Sequence, residues 1–313
     1  MEIYQDIESL PHFPLPVITI GTFDGVHLGH LQIIRQLAEA ANSIGGTSIV
    51  ITFYPHPKQV IGISTQPLYT LNTLEEKALL LKKAGVQKLV VVPFNIQFSE
   101  QSAIDYISDF LVKRFNPHTI IIGYDHRFGK DRLGDYHLLQ QCSQQYGYNL
   151  IEIPEHILKN ITISSTEIRK ALLEGNIQKA NSFLGYDYFM KGKVVEGNKL
   201  GRTIRFPTAN ISIEDENKLI PSMGVYAVYI RIAKNPVLWK GMMNIGMRPT
   251  VGGKHRVIEV HIFEFNQIIY GEDVTIHFKE KIREEKSFDG LAALQLQLVS
   301  DKKFALHILE DKS

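Results

Sequence analysis

The order of apolar and polar positions divides the chain into two parts. In the first part, short apolar runs alternate with segments whose apolar residues recur at helical spacing. The runs predicted as strands are Val17–Gly21, Ser48–Tyr54, Leu89–Pro93, Thr119–Gly123 and Leu150–Ile153. The segments predicted as helices begin at Leu28 or cover Leu74–Ala84, Ile104–Phe115, Tyr136–Tyr146 and Ile168–Leu173. This alternation predicts an α/β domain in which a parallel sheet is covered by helices on both faces.

The pattern changes near Gly185–Asp187, where strands replace the alternation. The strands predicted beyond this point are Lys193–Val195, Val225–Ile232, Leu238–Ile245, Val257–Phe265 and Val274–Phe278. Helical spacing returns at Leu291–Ile308. Short strands followed by one helix are typical of a small antiparallel barrel. We therefore expect two domains, 1–186 and 187–313.

Composition narrows the possible functions. With 313 residues the chain is long enough for two cores, and its net charge of +1 offers no broad basic field to nucleic acid or to an anionic membrane. The single cysteine, Cys142, excludes an intramolecular disulfide and a thiolate cluster from one chain. The acidic N-terminus does not resemble a signal peptide, and no apolar run approaches the ~20 residues of a membrane span. We expect a cytoplasmic protein.

Two histidines stand where the first predicted strand passes into the first predicted helix. The segment 17–30 is V-I-T-I-G-T-F-D-G-V-H-L-G-H, and helical spacing starts at Leu28. Ligands of open α/β sheets collect at such junctions, and free N–H groups at a helix start bind anions. Gly29 has no Cβ that would keep a phosphate from the backbone. We therefore expect an anion-binding junction that contains His27 and His30, in preference to two surface histidines in a loop.

Three further segments follow or lie near the carboxyl ends of predicted strands. They are F-Y-P-H-P at 53–57, G-Y-D-H-R-F-G at 123–129 and I-S-S-T-E-I-R at 163–169. In a doubly wound sheet these segments meet the histidines at one edge. Ser164 and Glu167 have the spacing of a capping box, which leaves the Arg169 guanidinium one turn on and suited to phosphate oxygens. Phe53 and Phe128 fit core packing equally well, so the pattern alone does not assign them.

The second part carries G-N-K-L-G-R-T-I-R-F-P-T-A-N at 197–210. Its glycines and basic residues could form a flap over phosphates, although the spacing is not that of a Walker loop. Thr208 and Asn210 are two residues apart, so on a strand their oxygens share a face and suit Mg²⁺ when ATP phosphates complete its shell. Glu259 stands in an apolar strand run. It is either a glutamate on the solvent face of the barrel or a carboxylate with a chemical role.

Taken in this order, the motifs resemble those of the prokaryotic bifunctional riboflavin kinases/FMN adenylyltransferases, also called FAD synthetases. The resemblance covers about Pro16 to Ile308. It implies a Rossmann-like nucleotidyltransferase domain at 1–186, which converts FMN and ATP to FAD and pyrophosphate. It further implies a six-stranded riboflavin kinase β-barrel with a C-terminal helix at 187–313, which phosphorylates riboflavin. The implied cofactor is Mg²⁺, and the implied partners are riboflavin, FMN and ATP, with neither nucleic acid nor a membrane.

The resemblance also implies roles for single residues. The catalytic residues are His27, His30 and Arg169 in the first domain and Glu259, as general base, in the second. ATP is bound by Gly21, Phe23, Gly29, Ser165, Thr166, Lys199, Gly201 and Arg202. The flavin is bound by Phe53, His56, Asp125 and Phe128, and the metal by Thr208 and Asn210. The chain departs from the family's usual pattern twice, with Arg205 in place of a glycine and His126 in place of an aromatic residue.

Three other functions compete with this interpretation. A chain with only one of the two activities is disfavoured because the chemical positions of both halves are filled. A flavin-sensing protein without turnover has no need of Glu259, Arg169 or the histidine pair. An adenylyltransferase that acts on nucleic acid is disfavoured by the net charge of +1 and the lack of a basic stripe.

Overall fold

The described residues fall into two compact units, Met1–Ser165 and Thr166–Ser313. The structure is a computed structural model that describes residues 1–62, 67–154, 163–197, 201, 204–233, 235–250 and 253–310. The division between the units precedes the predicted domain boundary at 186/187. The boundary at 186/187 rests on the change of pattern near Gly185–Asp187, and it stays a prediction. Within the described residues, no helix is long and apolar enough to cross a bilayer.

The first unit is built on a parallel sheet, as the sequence predicts. Its described strands are β1 Glu2–Tyr4, β2 Pro16–Ile20, β3 Thr47–Tyr54, β4 Lys88–Pro93, β5 Thr119–Gly123 and β6 Asn149–Ile153. They lie in the order β1-β4-β3-β2-β5-β6, and every pair is parallel. The chain leaves β2 toward β3 and returns to place β5 on the other side, so the switch point lies between β2 and β5. Strand β1 was missed because three residues with a terminal glutamate carry almost no pattern.

Helices cover both faces of this sheet. They are α1 Leu28–Ser43, α2 Pro57–Ile61, α3 Leu74–Lys83, α4 Ile96–Ser99, α5 Ala103–Asp105, α6 Lys113–Phe115 and α7 Tyr136–Tyr146, with a π-helical stretch at Tyr106–Val112 and a 3₁₀ turn at Lys130–Arg132. Neighbouring residues of one strand enter opposite cores: Val17 packs with Ile34 of α1, whereas Ile18 packs with Phe110. This is the two-sided burial that near-continuous apolar strands predict.

The second unit contains a closed antiparallel barrel. Its strands are β7 Phe189–Val195, β8 Ala209–Ser212, β9 Gly224–Ile232, β10 Leu238–Thr250, β11 Gly253–Ile262 and β12 Asp273–Arg283. They close in the order β10-β11-β8-β7-β12-β9. The barrel and its six strands confirm the predicted fold class. Strand β8 was absent from the pattern-based prediction because it is four residues long and half polar.

Helices flank the barrel in sequence. They are α8 Ser165–Leu173 and α9 Ile177–Leu184 before it, and α10 Leu291–Glu310 after it. The sequence analysis missed α9, although both of its end signals are present: Asn176 accepts a hydrogen bond from the Lys179 N–H at 3.1 Å, and Gly185 ends the helix with φ 78°. Helix α10 confirms the predicted closing helix. Arg283 of β12 holds it through two nitrogens on the fully buried Asp301 carboxylate, at 2.8 to 3.0 Å.

Candidate functional sites

The two histidines of the first unit form one structural device at the start of α1. His27 is the N-cap residue, and its Nδ1 accepts the His30 backbone N–H at 3.3 Å. The two rings stack with centroids 3.6 Å apart. Because Nδ1 of a neutral His27 is the acceptor, its proton resides on Nε2, where it can be donated to a ligand. Capping and ligand binding thus use different nitrogens of the same ring.

His30 is held neutral. Burial lowers the pKa of His30 well below its ordinary value, and the charges of His27 and Lys77 act in the same direction. Its Nδ1 is buried without a hydrogen-bond partner among the described residues. A neutral imidazole binds a phosphate oxygen by donating a single hydrogen bond. His30 therefore suits a phosphate through the direction of that hydrogen bond and not through a positive charge.

The loop that carries the histidines has an unusual backbone. Phe23 and Val26 have φ values of 45° and 38°, with Gly25 at 87° between them. Such values are rare for bulky side chains and doubly so for a β-branched one, so packing must hold this loop in place. The Phe23 ring is buried and meets the His30 ring edge-on at 5.2 Å. A Cβ on Gly29 would lie 3.2 Å from the His27 ring. The absence of a side chain at Gly29 therefore leaves space for the His27 ring, in addition to its predicted role at the phosphate.

Buried polar residues missed by the sequence analysis anchor the same loop. One carboxylate oxygen of Asp24 accepts the Leu71 N–H at 2.9 Å, and the Asp24 carbonyl accepts the Ser165 hydroxyl at 2.9 Å. Lys77 of α3 is 7% exposed and donates to the Thr52 hydroxyl at 3.4 Å. Burial lowers the pKa of Lys77, and the charge of Asp24 opposes this shift. The sequence signal for this buried contact is the position of Lys77 on the apolar face of α3.

The predicted flavin residues lie at the end of β3, in the turn after it and in the loop after β5. Phe128 is 6% exposed and stacks on Tyr106 at 5.0 Å, so its ring belongs to the core, the alternative that the sequence left open. Phe53 is half-buried and packs edge-on against Phe94 at 5.6 Å. His56 caps α2 by accepting the Lys58 N–H at 3.2 Å. Both phenylalanines contact one hydrophobic cluster, and Asp125 is exposed.

His126 is the aromatic departure noted in the sequence, and it is nearly enclosed. Its ring stacks on Phe128 with centroids 5.8 Å apart, and its Nε2 is buried without a partner among the described residues. Burial, with a smaller contribution from the Arg132 charge, lowers the pKa of His126 to about 4. A neutral imidazole here replaces an apolar ring without introducing a charge.

Of the remaining predicted ATP ligands, those for FAD formation lie on α8, and those of the predicted kinase flap lie partly outside the described residues. The helix begins at Ser165, as the capping spacing predicts. Thr166 follows on an exposed position, and Arg169 is half-buried one turn on. Lys199 and Arg202 lie outside the described residues, so their predicted phosphate contacts stay predictions.

In the second unit, the strand ladder brings the predicted kinase residues together. Asn210 of β8 is directly opposite Glu259 of β11. A Cβ on Gly197 would overlap the Asn210 amide, and one on Gly201 would overlap the Phe206 carbonyl and touch the Thr208 hydroxyl at 3.5 Å. Both glycines of the predicted flap therefore pack directly on the strand that carries the predicted metal ligands.

His261 fixes the approach to this strand. Its Nδ1 lies 2.7 Å from the Pro207 carbonyl, one residue before Thr208. Burial lowers the pKa of His261, against the effect of that hydrogen bond. The neutral ring therefore donates Nδ1–H to the carbonyl. His261 stands two residues after Glu259 on the same face of β11, so it ties the two strands of the site together.

Glu259 contacts an arginine that the sequence analysis did not single out. Both carboxylate oxygens of Glu259 accept hydrogen bonds from Nη2 of Arg248, at 3.0 and 2.9 Å. Asn244 of β10 is opposite Glu259 in the ladder. A Cβ on Gly246 would overlap the Glu285 carboxylate and lie 3.2 Å from the Asn244 amide. Asn244, Gly246 and Arg248 occupy alternate positions of β10 in the segment N-I-G-M-R. This alternation is the sequence signal that places Arg248 on the same face as Asn244.

The residues present fit a magnesium ion held with nucleotide phosphates. No cluster of three or more His, Cys, Asp or Glu side chains with metal-binding geometry occurs in the described part of the chain. The hydroxyl of Thr208 and the amide of Asn210 supply neutral oxygens, and the missing Cβ of Gly197 lets the backbone approach that amide closely. Mg²⁺ accepts such donors when phosphate oxygens complete its octahedron.

Two family models match the chain in succession. A model described as FAD synthetase matches residues 13–167, and a model described as riboflavin kinase matches residues 184–309. These ranges coincide with the unit that carries the histidine pair and with the barrel that carries Glu259.

Known proteins resemble the chain along nearly its whole length. It is 38% identical over 288 residues to a protein of Haemophilus influenzae, covering 92% of each chain. It is 35% identical over 305 residues to a protein of Escherichia coli, covering 96% of each. Both relatives are named bifunctional riboflavin kinase/FMN adenylyltransferase. Among solved structures, a protein of Streptococcus pneumoniae described as a macrolide-efflux protein matches with a TM-score of 0.84 and 31% identity, covering 99% of each chain.

The low pKa of His126 predicts an acid-sensitive first unit. The folded chain protonates His126 only at about pH 4, whereas the unfolded chain takes up this proton near pH 6.5, so stability is complete above pH 6.5 and falls below it. At about pH 5 the loss is about 2 kcal/mol. We expect the stability difference between wild type and His126→Phe to shift by this amount in favour of phenylalanine between about pH 8 and about pH 5. Urea unfolding of both full-length chains, followed by proteolytic cleavage within residues 1–165, measures this shift in stability. Equal dependence of stability on pH in the two chains would refute the prediction.

Proposed function

The chain belongs to the family of bifunctional riboflavin kinases/FMN adenylyltransferases, and we propose how its residues divide the two reactions. The family phosphorylates riboflavin to FMN with ATP and then joins FMN and ATP into FAD and pyrophosphate. One observation carries the division: the histidine pair lies within the FAD synthetase match, and Glu259 lies opposite Asn210 within the riboflavin kinase match. We assign FAD formation to residues 1–186 and riboflavin phosphorylation to residues 187–313.

In FAD formation, an FMN phosphate oxygen attacks the α-phosphorus of ATP and pyrophosphate leaves. The attacking phosphate is ionised at pH 7, so the reaction needs hydrogen-bond donors for the phosphates and no general base. His27 suits this task because its cap bond uses Nδ1, so the ring proton lies on the other nitrogen, Nε2, from which a phosphate oxygen can accept. The neutral His30 beside it adds a second imidazole without a second charge. Arg169, one turn into α8, is the proposed cation for the phosphate oxygens.

The substrates of this reaction meet two kinds of surface. ATP lies along the β2–α1 loop and the start of α8, with Gly21, Phe23, Gly29, Ser165 and Thr166 as its proposed contacts. The flavin ring lies against the aromatic cluster that Phe53 and Phe128 contact, and His56 and Asp125 border it. Because Phe128 is buried, we propose that it supports the pocket wall from behind and that the half-buried Phe53 presents the contact face.

In riboflavin phosphorylation, Glu259 is the proposed general base. The primary hydroxyl of the ribityl chain is a weak nucleophile, and a carboxylate that accepts its proton speeds attack on the γ-phosphorus. Thr208 and Asn210 are the proposed ligands of Mg²⁺, which neutralises phosphate charge when bound with ATP. Gly201, with Lys199 and Arg202, forms the proposed flap over the nucleotide. We propose the cytoplasm as the location, in keeping with ATP as substrate and a single cysteine.

The histidine pair is tested by removing both imidazoles. His27→Ala with His30→Ala should lower FAD formation from added FMN by at least 10²-fold, since one such donor contributes about that much. Riboflavin phosphorylation by the same protein should stay within about twofold. Separating flavins by chromatography measures both rates, and a double variant with normal FAD formation would remove the assignment.

His27→Asn separates chemistry from capping. Asparagine is a good N-cap residue but offers no imidazole, so it restores the start of α1 without the Nε2 donor. We expect His27→Asn to be as stable as the wild type and still defective in FAD formation. Normal activity in this variant would reduce His27 to a structural cap.

Glu259 is tested by a change that keeps its shape. Glu259→Gln should lower kcat for riboflavin phosphorylation by about 10²- to 10⁴-fold, because an amide cannot take up the hydroxyl proton. FAD formation from FMN should not change. Glu264→Gln, at an exposed glutamate after the same strand, is the matched control. Wild-type phosphorylation by Glu259→Gln would make Glu259 a barrel residue only.

The domain assignment is tested by cutting the chain at two places. Residues 1–186 should make FAD and leave riboflavin untouched, and residues 187–313 should do the reverse. Because Asn181 of α9 donates to the Phe278 carbonyl of β12 at 2.9 Å, we expect residues 166–313 to be the more stable barrel fragment. Residues 1–165 lack Thr166 and Arg169, so they should bind ATP poorly. FAD formation by any folded barrel fragment, or riboflavin phosphorylation by a folded N-terminal fragment, would contradict the division.

A further inference from the structure

The proposed base of the kinase reaction is covered by a cation. A single guanidinium nitrogen of Arg248 donates to both carboxylate oxygens of Glu259, at 3.0 and 2.9 Å. The Glu259 side chain is 16% exposed and that of Arg248 is 38% exposed. A carboxylate whose two oxygens both accept from one cation is poorly placed to receive a proton from a substrate hydroxyl. Each oxygen keeps a second lone pair, so a shift of Arg248 away from Glu259 would open the carboxylate to the substrate hydroxyl.

We propose that Arg248 is a catalytic residue of riboflavin phosphorylation, which covers Glu259 in the free enzyme and contacts the transferred phosphoryl group once ATP is bound. The proposal rests on the proposed role of Glu259 as base. It adds a step that the base alone does not contain, namely the exchange of one anionic partner of Arg248 for another. Arginine suits this exchange because its planar fork binds carboxylates and phosphates in the same bidentate way.

The energetics of the pair favour such an exchange. The Arg248 side chain is 38% exposed, so water can solvate the guanidinium as it leaves Glu259, and ion pairs that are open to solvent on one side are separated more easily than enclosed ones. A phosphoryl group in transfer carries more negative charge than a carboxylate and attracts the guanidinium more strongly. ATP binding thus supplies a better partner than the one it displaces, and the displaced carboxylate becomes available for the ribityl hydroxyl.

Polar groups occupy the face of β10 that carries Arg248. Asn244, Gly246 and Arg248 lie on one face of β10, and Asn244 is opposite Glu259. Gly246 has no side chain, and the space beside its Cα holds the Glu285 carboxylate and the Asn244 amide. The surface next to Arg248 is therefore lined by flexible polar groups and not by a packed apolar side chain.

Charge balance requires a cation at this place. Glu259 and Glu285 bring two negative charges to the face where ATP phosphates must approach, and Arg248 contacts the first of them. Like charges that approach without an intervening cation raise the barrier, whereas a positioned cation lowers it most in the transition state. Arg248 is the cation that contacts the proposed base, so we expect it to separate that base from the phosphates.

A double-mutant cycle tests the proposal, with kcat and KM for riboflavin phosphorylation measured in each variant. Arg248→Gln should lower kcat by about 10²- to 10³-fold and change KM for riboflavin by only a few-fold. The same substitution should lower kcat again in the Glu259→Gln background, because a residue that contacts the phosphate acts without the base. Arg248→Lys should keep part of the rate, and added guanidinium should partly restore Arg248→Ala.

Three results would overturn the proposal. A higher kcat in Arg248→Gln would mean that Arg248 only masks the base. No further loss in the Glu259→Gln background would mean that it only positions the base. An unchanged kcat in both backgrounds would leave a structural ion pair.

Two controls keep these results interpretable. Arg256→Gln, on an exposed residue on the opposite face of β11, should leave the rate unchanged, and FAD formation from FMN reports the integrity of the chain. A normal rate in Glu259→Gln with a loss in Arg248→Gln would refute the proposed base while leaving the phosphate contact of Arg248 standing.

Discussion

The buried carboxylate of Asp24 is the constraint on which the first unit depends. Through its side chain and its own carbonyl, Asp24 joins the loop after β2 to the segment before α3 and to the start of α8. Those segments are far apart in sequence, and a buried carboxylate that lost these donors would be costly. The same loop holds Phe23 and Val26 at positive φ, which only a well-anchored loop sustains. The position of the histidine pair therefore depends on the polar contacts of Asp24.

The barrel positions its groups by a different principle. Here the hydrogen-bonded ladder sets the geometry: Asn210, Glu259 and Asn244 face one another across three adjacent strands because of their register. Glycines then shape the space around them, since side chains at Gly197 or Gly246 would overlap Asn210 or Glu285. A register slip of one residue would turn the whole set to the other face. Strand pairing thus positions the residues of the proposed kinase site, whereas polar contacts of a loop position the histidine pair of the proposed adenylyltransferase site.

The two departures from the family's usual pattern have opposite physical characters. Arg205 stands where the family has glycine, and its φ of 62° is a conformation that glycine adopts freely and other residues at a cost of about 1 kcal/mol. Arg205 thus adopts a backbone conformation that favours glycine. His126 keeps the stacking of the aromatic ring that it replaces, and enclosure holds it uncharged near neutral pH. The first departure strains the backbone, and the second makes the fold sensitive to acid.

The sequence alone determined most of the succession of strands and helices and both fold classes, because periodicity, glycine positions and short motifs are local properties. The residue roles that its motifs imply stay predictions. The sequence analysis missed β1 and β8, since segments of three or four residues carry little pattern. It also missed α9, which has only eight residues and lies between two glycines. It also missed Asp24, Lys77 and Arg248, and it left Phe128 between core and ligand. Only the tertiary structure decided these, because each depends on a partner distant in the chain: Leu71, Thr52, Glu259 and Tyr106. Burial and charge pairing are properties of the packed molecule, and no local pattern encodes which distant group a side chain will meet.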